Sequence, residues 1–184
     1  MEIAFLGWGS LVWDPRDLRI RGKWHNDGPF LPIEFMRFSK GGRITLVIHP
    51  EAEKVQTLWA SADFDDVEDA RENLRAREVT LTERIGFATI PRCESRCWGD
   101  PAILEPILEW GQRKGLGAVV WTGLTANHEK FREKTGMEMN DDNIIKYLGS
   151  LTGQRLKDAK EYVQKAPEQV NTKIRQRIHK ELGW

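Results

Sequence analysis

The sequence predicts a mixed α+β protein whose strands curl into a small barrel-like sheet with flanking helices, followed by a helical C-terminal extension. Three observations carry that expectation. Short apolar, β-branched runs bounded by glycine, proline and charged residues dominate the first half and recur at residues 118–122, which is how strands read. Helical spacing appears between them and is the only pattern after residue 122. A chain of 184 residues that is 40% hydrophobic and 30% charged is long and apolar enough to build one sizeable core. The change of character sets the expected organisation: an α/β domain over 1–124 and a helical extension over 125–184 packed on the same domain.

The elements follow in order. Residues 3–6 form an apolar run stopped by Gly7-Trp8-Gly9-Ser10, the pattern of a buried strand entering a tight turn. Residues 33–38 and 43–48 flank Lys40-Gly41-Gly42 as a hairpin. Residues 55–61 supply another strand, and residues 80–90 are expected to be extended. Asp65-Asp66-Val67-Glu68 opens a helix with acidic groups at its positive end, and Val67, Ala70 and Leu74 share one face. Asp100-Pro101 opens another, with Ile103, Leu104, Ile107 and Leu108 as its stripe and Pro106 as a bend; Gly111 or Gly115 ends it. Residues 118–122 return to a strand. Residues 141–151, 156–166 and 168–182 are amphipathic helices, the last with Val170, Ile174, Ile178 and Leu182 four apart.

Composition narrows the classes of function. Lys and Arg total 28 and Asp and Glu total 28, so no global charge favours nucleic acid or an anionic membrane. No run approaches the roughly 20 apolar residues of a membrane span, and the first residues lack the basic and small-residue features of a secretory signal. With two cysteines, Cys93 and Cys97, the chain has no disulfide framework. A cytoplasmic protein with reduced thiols is expected. Cys93 and Cys97 do not make a zinc site by themselves, His25, His49, His128 and His179 lack ligand spacing, and no metal or cofactor is expected. The last helix carries Lys165, Lys173, Arg175, Arg177 and Lys180 on or near its polar positions; it reads as a solvated face, with nucleic-acid binding the alternative.

Two short elements bear on chemistry. The turn at Trp8, Gly9, Ser10 and Leu11 lacks the third glycine of a dinucleotide fingerprint, and Trp13-Asp14-Pro15 stands where the crossover helix would continue. It is either a glycine-rich turn over a packed Trp8 or a loop whose main-chain N–H groups converge on a carboxylate or oxyanion. Glu78, in Leu74-Arg75-Ala76-Arg77-Glu78-Val79, sits where the first helix gives way to an extended segment. It is either a solvated charge paired with Arg75 or Arg77, or a carboxylate presented for chemistry.

Together these elements resemble the γ-glutamylcyclotransferase-like family. Phe5-Leu6-Gly7-Trp8-Gly9-Ser10-Leu11 is similar to the aromatic-Gly-Ser loop after that family's first strand, Val55-Gln56-Thr57-Leu58-Trp59 to a later strand, and residues 63–74 to its short helix. Leu74 and Glu78 match its Leu-x-x-x-Glu segment. The chain departs from the pattern at Trp8, where Tyr is usual, at Leu11, where several members have Asn, at Val79, where Gly is usual, and in its tail, which holds the only tyrosines, Tyr147 and Tyr162.

The resemblance implies intramolecular aminolysis of a γ-glutamyl amine or related amide, releasing 5-oxoproline without metal or organic cofactor. It casts Glu78 as the acid/base and Trp8, Gly9, Ser10 and Leu11 as the cradle for a small-molecule substrate bearing a carboxylate. A non-catalytic binding or interaction module on the same fold is the alternative. On an extended stretch, Arg77 would point away from the side that Glu78 faces.

Overall fold

The computed structural model describes residues 1–91 and 103–184. Their elements are β1 (Ile3–Gly7), β2 (Ile20–His25), β3 (Phe30–Phe38), β4 (Ile44–Ile48), β5 (Lys54–Gln56), β6 (Leu58–Ala62), α1 (Val67–Glu78), β7 (Ile85–Thr89), α2 (Leu104–Arg113), β8 (Ala118–Thr122), α3 (His128–Thr135), α4 (Asp141–Ser150), α5 (Gly153–Lys165) and α6 (Lys173–Arg177). A π-helical turn over Ile178–Leu182 continues α6. The class is α+β. Among the described residues the expected barrel-like sheet is instead two open sheets, one ordered β2-β6-β1-β8-β7 and one ordered β4-β3-β5.

Two compact units divide the chain: Met1–Leu31 with Gln56–Leu124, and Pro32–Val55 with Thr125–Trp184. The hairpin over residues 32–55 groups with the C-terminal helices, so those helices complete a unit of their own with a sheet that they cover.

The first unit is built around β1. All five of its residues are buried, because it is flanked on both sides, antiparallel by β6 and parallel by β8, and covered on both faces. Alternation along the strands sorts the faces. Ile3 and Phe5, Ile85 and Phe87, and Ala118 and Val120 form one core with Ala70 and Leu74 of α1. Val119 points the other way, toward α2, where a Cβ at Gly111 would overlap Ile90 and crowd Val119. Strand β2 is the exposed edge, with Ile20 and Trp24 its only partly buried residues.

Four sequence expectations change. The single strand over residues 55–61 is broken at fully buried Thr57, so its halves join different sheets. Within residues 80–90, a 3-10 turn over Thr82–Arg84 precedes β7. Strand β2 and helix α3 arise where none was expected. The last helix starts only at Lys173, where Thr172 caps it by accepting from the Arg175 amide at 3.3 Å. The expected helix start at Asp100-Pro101, with Cys93 and Cys97, lies outside the described residues.

In the second unit, Phe38, Phe131 and Tyr147 form an aromatic cluster with centroids 5.6–5.9 Å apart. Tyr147 donates to the Gly42 carbonyl at 2.7 Å, and the Leu46 amide donates to the Tyr162 hydroxyl at 3.3 Å. Both tyrosines of the tail therefore hold this sheet. Asn127 accepts from the Phe38 amide at 2.7 Å and donates to its carbonyl at 2.9 Å, pairing a stretch of β3 with a side chain. No helix among the described residues is long and apolar enough to cross a membrane.

Glu34 is the buried carboxylate of this unit, 6% exposed. It accepts from the amides of Phe35 at 2.8 Å and Ile174 at 3.2 Å and from the Thr172 hydroxyl, tying β3 to the start of α6. Burial raises its carboxyl above the ordinary range, opposed by the hydrogen bonds from Thr172, Phe35 and Ile174. Glu34→Ala leaves these donors without their acceptor and is expected to cost about 3 kcal/mol in denaturant unfolding. Because the folded state holds the Glu34 proton more tightly than the unfolded chain, this carboxyl's contribution is full below the unfolded value and is lost as pH rises through the folded one. The margin of wild type over Glu34→Ala should therefore narrow from acid toward neutral pH; a margin that widens would contradict the assignment.

Candidate functional site

The site begins where β1 ends. Gly7 is pressed against Trp24, whose ring atoms would lie 2.7 Å from a Cβ at that position, so only glycine lets the chain leave the sheet there. The turn that follows is closed by the Val12 amide to the Gly9 carbonyl at 3.0 Å and the Asp14 amide to the Ser10 carbonyl at 2.8 Å. This closure does not use the amides of Gly9, Ser10 and Leu11. Trp8 and Leu11 are buried, with Leu11 in the core beneath α1, while Ser10 is half-buried. Of the four residues expected to form the cradle, Ser10 thus offers its side chain, Gly9 its backbone, and Leu11 packs its side chain inward.

Helix α1 brings Glu78 to the same place. Asp66 caps it by accepting from the amides of Glu68 at 2.8 Å and Asp69 at 3.4 Å. Ala70 and Leu74 seat it on the sheet, joined by the buried guanidinium of Arg71, which pairs with Glu68 at 2.6 Å and lies over the Phe87 ring. Glu78 is the last helical residue. Val79 then turns left-handed at φ 51°, and its amide bonds the Ala76 carbonyl at 3.2 Å.

The helical ending corrects the expected course of Arg77. Successive helical residues are about 100° apart rather than on opposite faces, and Arg77 lies three and seven positions from the stripe residues Leu74 and Ala70 in the sense that places all three inward. Its guanidinium is buried. Nη1 donates to Glu78 Oε1 at 2.9 Å, and Nη2 to Ser10 Oγ at 3.4 Å and to the Asp14 carbonyl at 2.5 Å. Arg75, in contrast, is held by Glu72. Glu78 and the turn after β1 are thus joined through one cation, with the Glu78 side chain only 16% exposed. Of the two arginines expected as partners for Glu78, Arg77 is the one that pairs with it, and its reach to the turn after β1 is what the motifs passed over. Its signal was the helical spacing itself, which runs the apolar stripe of α1 onto an arginine.

The arrangement provides a carboxylate able to accept a proton, a fixed positive charge, a hydroxyl and a turn of main-chain amides. In the same unit His25 stacks on Trp59 at 4.7 Å, and in the second unit burial holds the His49 ring below its ordinary range. Among the described residues no three His, Cys, Asp or Glu groups gather as a metal site. The basic residues of the last helix are largely engaged: Arg175 is buried and donates to the carbonyls of Ala166, Pro167 and Val170, Arg177 pairs with Asp142 and Glu181, and Lys173 with Asp141. Arg175 therefore belongs to the interior rather than to the polar face expected of it.

No family model, curated protein or solved structure matches the chain.

Val79 is a β-branched residue held left-handed and 84% exposed, so it adds strain without burying a side chain. Val79→Gly is expected to stabilise the protein by about 1 kcal/mol in urea unfolding. A destabilised variant would show that the left-handed conformation is not what Val79 costs.

Proposed function

We propose that this protein is a γ-glutamylcyclotransferase-like enzyme with the fold of that family, acting on a γ-glutamyl amine or related amide. The observation that supports the reading is the Arg77 bridge: the two elements that the resemblance pairs as acid/base and cradle meet through a single guanidinium. In the proposed reaction the Glu78 carboxylate takes a proton from the substrate α-ammonium. The freed amine attacks the γ-carbonyl carbon, and the carbonyl oxygen becomes an oxyanion. Glu78 then returns the proton to the leaving nitrogen as the C–N bond breaks and the oxyanion collapses to the carbonyl. The attacking nitrogen gives its second proton to the emptied Glu78 carboxylate, which passes it to solvent, leaving 5-oxoproline and a free amine. Ring closure keeps the nucleophile local, so orientation supplies much of the acceleration. The amides of Gly9, Ser10 and Leu11, next to Trp8, would hold the substrate carboxylate or the oxyanion. This chemistry requires no cofactor.

A second reading, a small-molecule-binding module without turnover, is favoured by the same ion pair, since the Glu78 carboxylate already carries a strong donor. The test is mass-spectrometric detection of 5-oxoproline from γ-glutamyl amides, γ-glutamyl dipeptides and glutathione. Wild type is expected to turn at least one of these over, and Glu78→Gln to lower kcat by about 10²–10⁴-fold. Folded wild-type protein that yields no 5-oxoproline would put the binding module ahead.

A further inference from the structure

We propose that Arg77 is the positioning residue of this site: one buried guanidinium fixes the Glu78 carboxylate and the turn after β1 in a single geometry. The role of Glu78 rests on the cyclotransfer reading, whereas the positioning rests on the hydrogen-bond geometry alone. Three acceptors from two separate segments share the cation: Glu78 Oε1, Ser10 Oγ and the Asp14 carbonyl. A planar fork can serve them together, whereas a lysine ammonium on a flexible stem cannot hold the same spacing.

Two further observations show that the arrangement is imposed. Arg77 occupies the inward stripe of α1, where an apolar side chain would avoid desolvating a charge, and its Nε is buried without a hydrogen-bond partner. Among the described residues, moreover, the non-glycine residues with left-handed backbones are Arg16 at φ 52° and Val79 at φ 51°. One follows Asp14 by two positions and the other follows Glu78 directly, so the strained residues flank both ends of the bridge. Strain of this kind persists where surrounding structure over-determines a local geometry.

The experiment compares Arg77→Met, Arg77→Lys and Ser10→Ala with wild type by amide hydrogen exchange and by steady-state kinetics of 5-oxoproline release. Exchange at the Val12 and Asp14 amides is expected to rise about tenfold in Arg77→Met and less in Arg77→Lys. With Arg77→Met, kcat should fall about 100-fold while KM stays within about threefold, and Arg77→Lys should recover turn protection more than kcat. Should Arg77→Met fail to fold, Ser10→Ala removes one arm of the bridge without emptying the interior, and it should show the same rise in exchange on a smaller scale. Unchanged exchange in the folded variants, or a loss confined to KM, would overturn the proposal. If wild type releases no 5-oxoproline while exchange rises as expected, the reaction falls and the positioning of the turn by Arg77 stands.

Discussion

The pairing of β1 with β8 is the constraint on which the first unit depends. It is parallel, so no hairpin can join the two strands, and partners such as Phe5 and Val120 must be brought together across most of the chain. Once they meet, β1 lies between β8 and β6 and is covered on both faces, which is why its residues are apolar without alternation. Its C-terminal end then opens at Gly7 into the turn that carries Gly9 and Ser10. The same sheet seats α1 through Ala70 and Leu74, so the helix that ends at Glu78 and the turn that starts after Gly7 are two outlets of one packed core.

Buried arginines are the second organising device. Arg71 reaches the carbonyls of Thr82 and Ile85, Arg77 that of Asp14, and Arg175 those of Ala166, Pro167 and Val170. Each supplies donors to irregular backbone between regular elements, where carbonyls lack ladder partners. Arg71 also holds a carboxylate of its own helix, Glu68, as Arg77 holds Glu78; Arg77 differs in reaching a hydroxyl of a separate segment, Ser10 Oγ. In Arg175 the guanidinium finishes a loop; in Arg71 and Arg77 it joins irregular backbone to an ionised side chain of the same helix.

Much of this was legible in the sequence where local pattern decides the outcome. The strands at β1, β4 and β8 announce themselves by apolar runs, the start of α1 by its acidic run Asp65-Asp66-Val67-Glu68, though the cap is Asp66 rather than the Asp65 of an Asp-x-x-Glu pattern, and helices α4 and α5 by spacing. What escaped depended on partners distant in the chain. Strand β2 is an exposed edge paired with β6, and only Ile20 and Trp24 hint at it. The break at Thr57 is invisible locally because a β-branched residue between Val55-Gln56 and Leu58-Trp59 suits a continuous strand; its hydrogen bonds to Pro29 divide the strand. Arg175 looks like a surface charge until the carbonyls that surround it are in place. At the candidate site, Glu78 and Ser10 stood out as motifs, while Arg77 between them was read by strand geometry when the helix ran on to Glu78.

The bonds at Thr57 also govern how the chain is threaded. Its amide and hydroxyl donate to the Pro29 carbonyl at 3.1 and 2.7 Å, and the Gly28 amide donates to the Thr57 carbonyl at 3.0 Å. The first unit thereby stitches together the points where the polypeptide departs and comes back, and residues 32–55 form a closed excursion. Lengthening a closed excursion adds an entropic term that grows only logarithmically. A change of length in the connection between β4 and β5 therefore leaves the register of β2 and β6 in the first unit untouched.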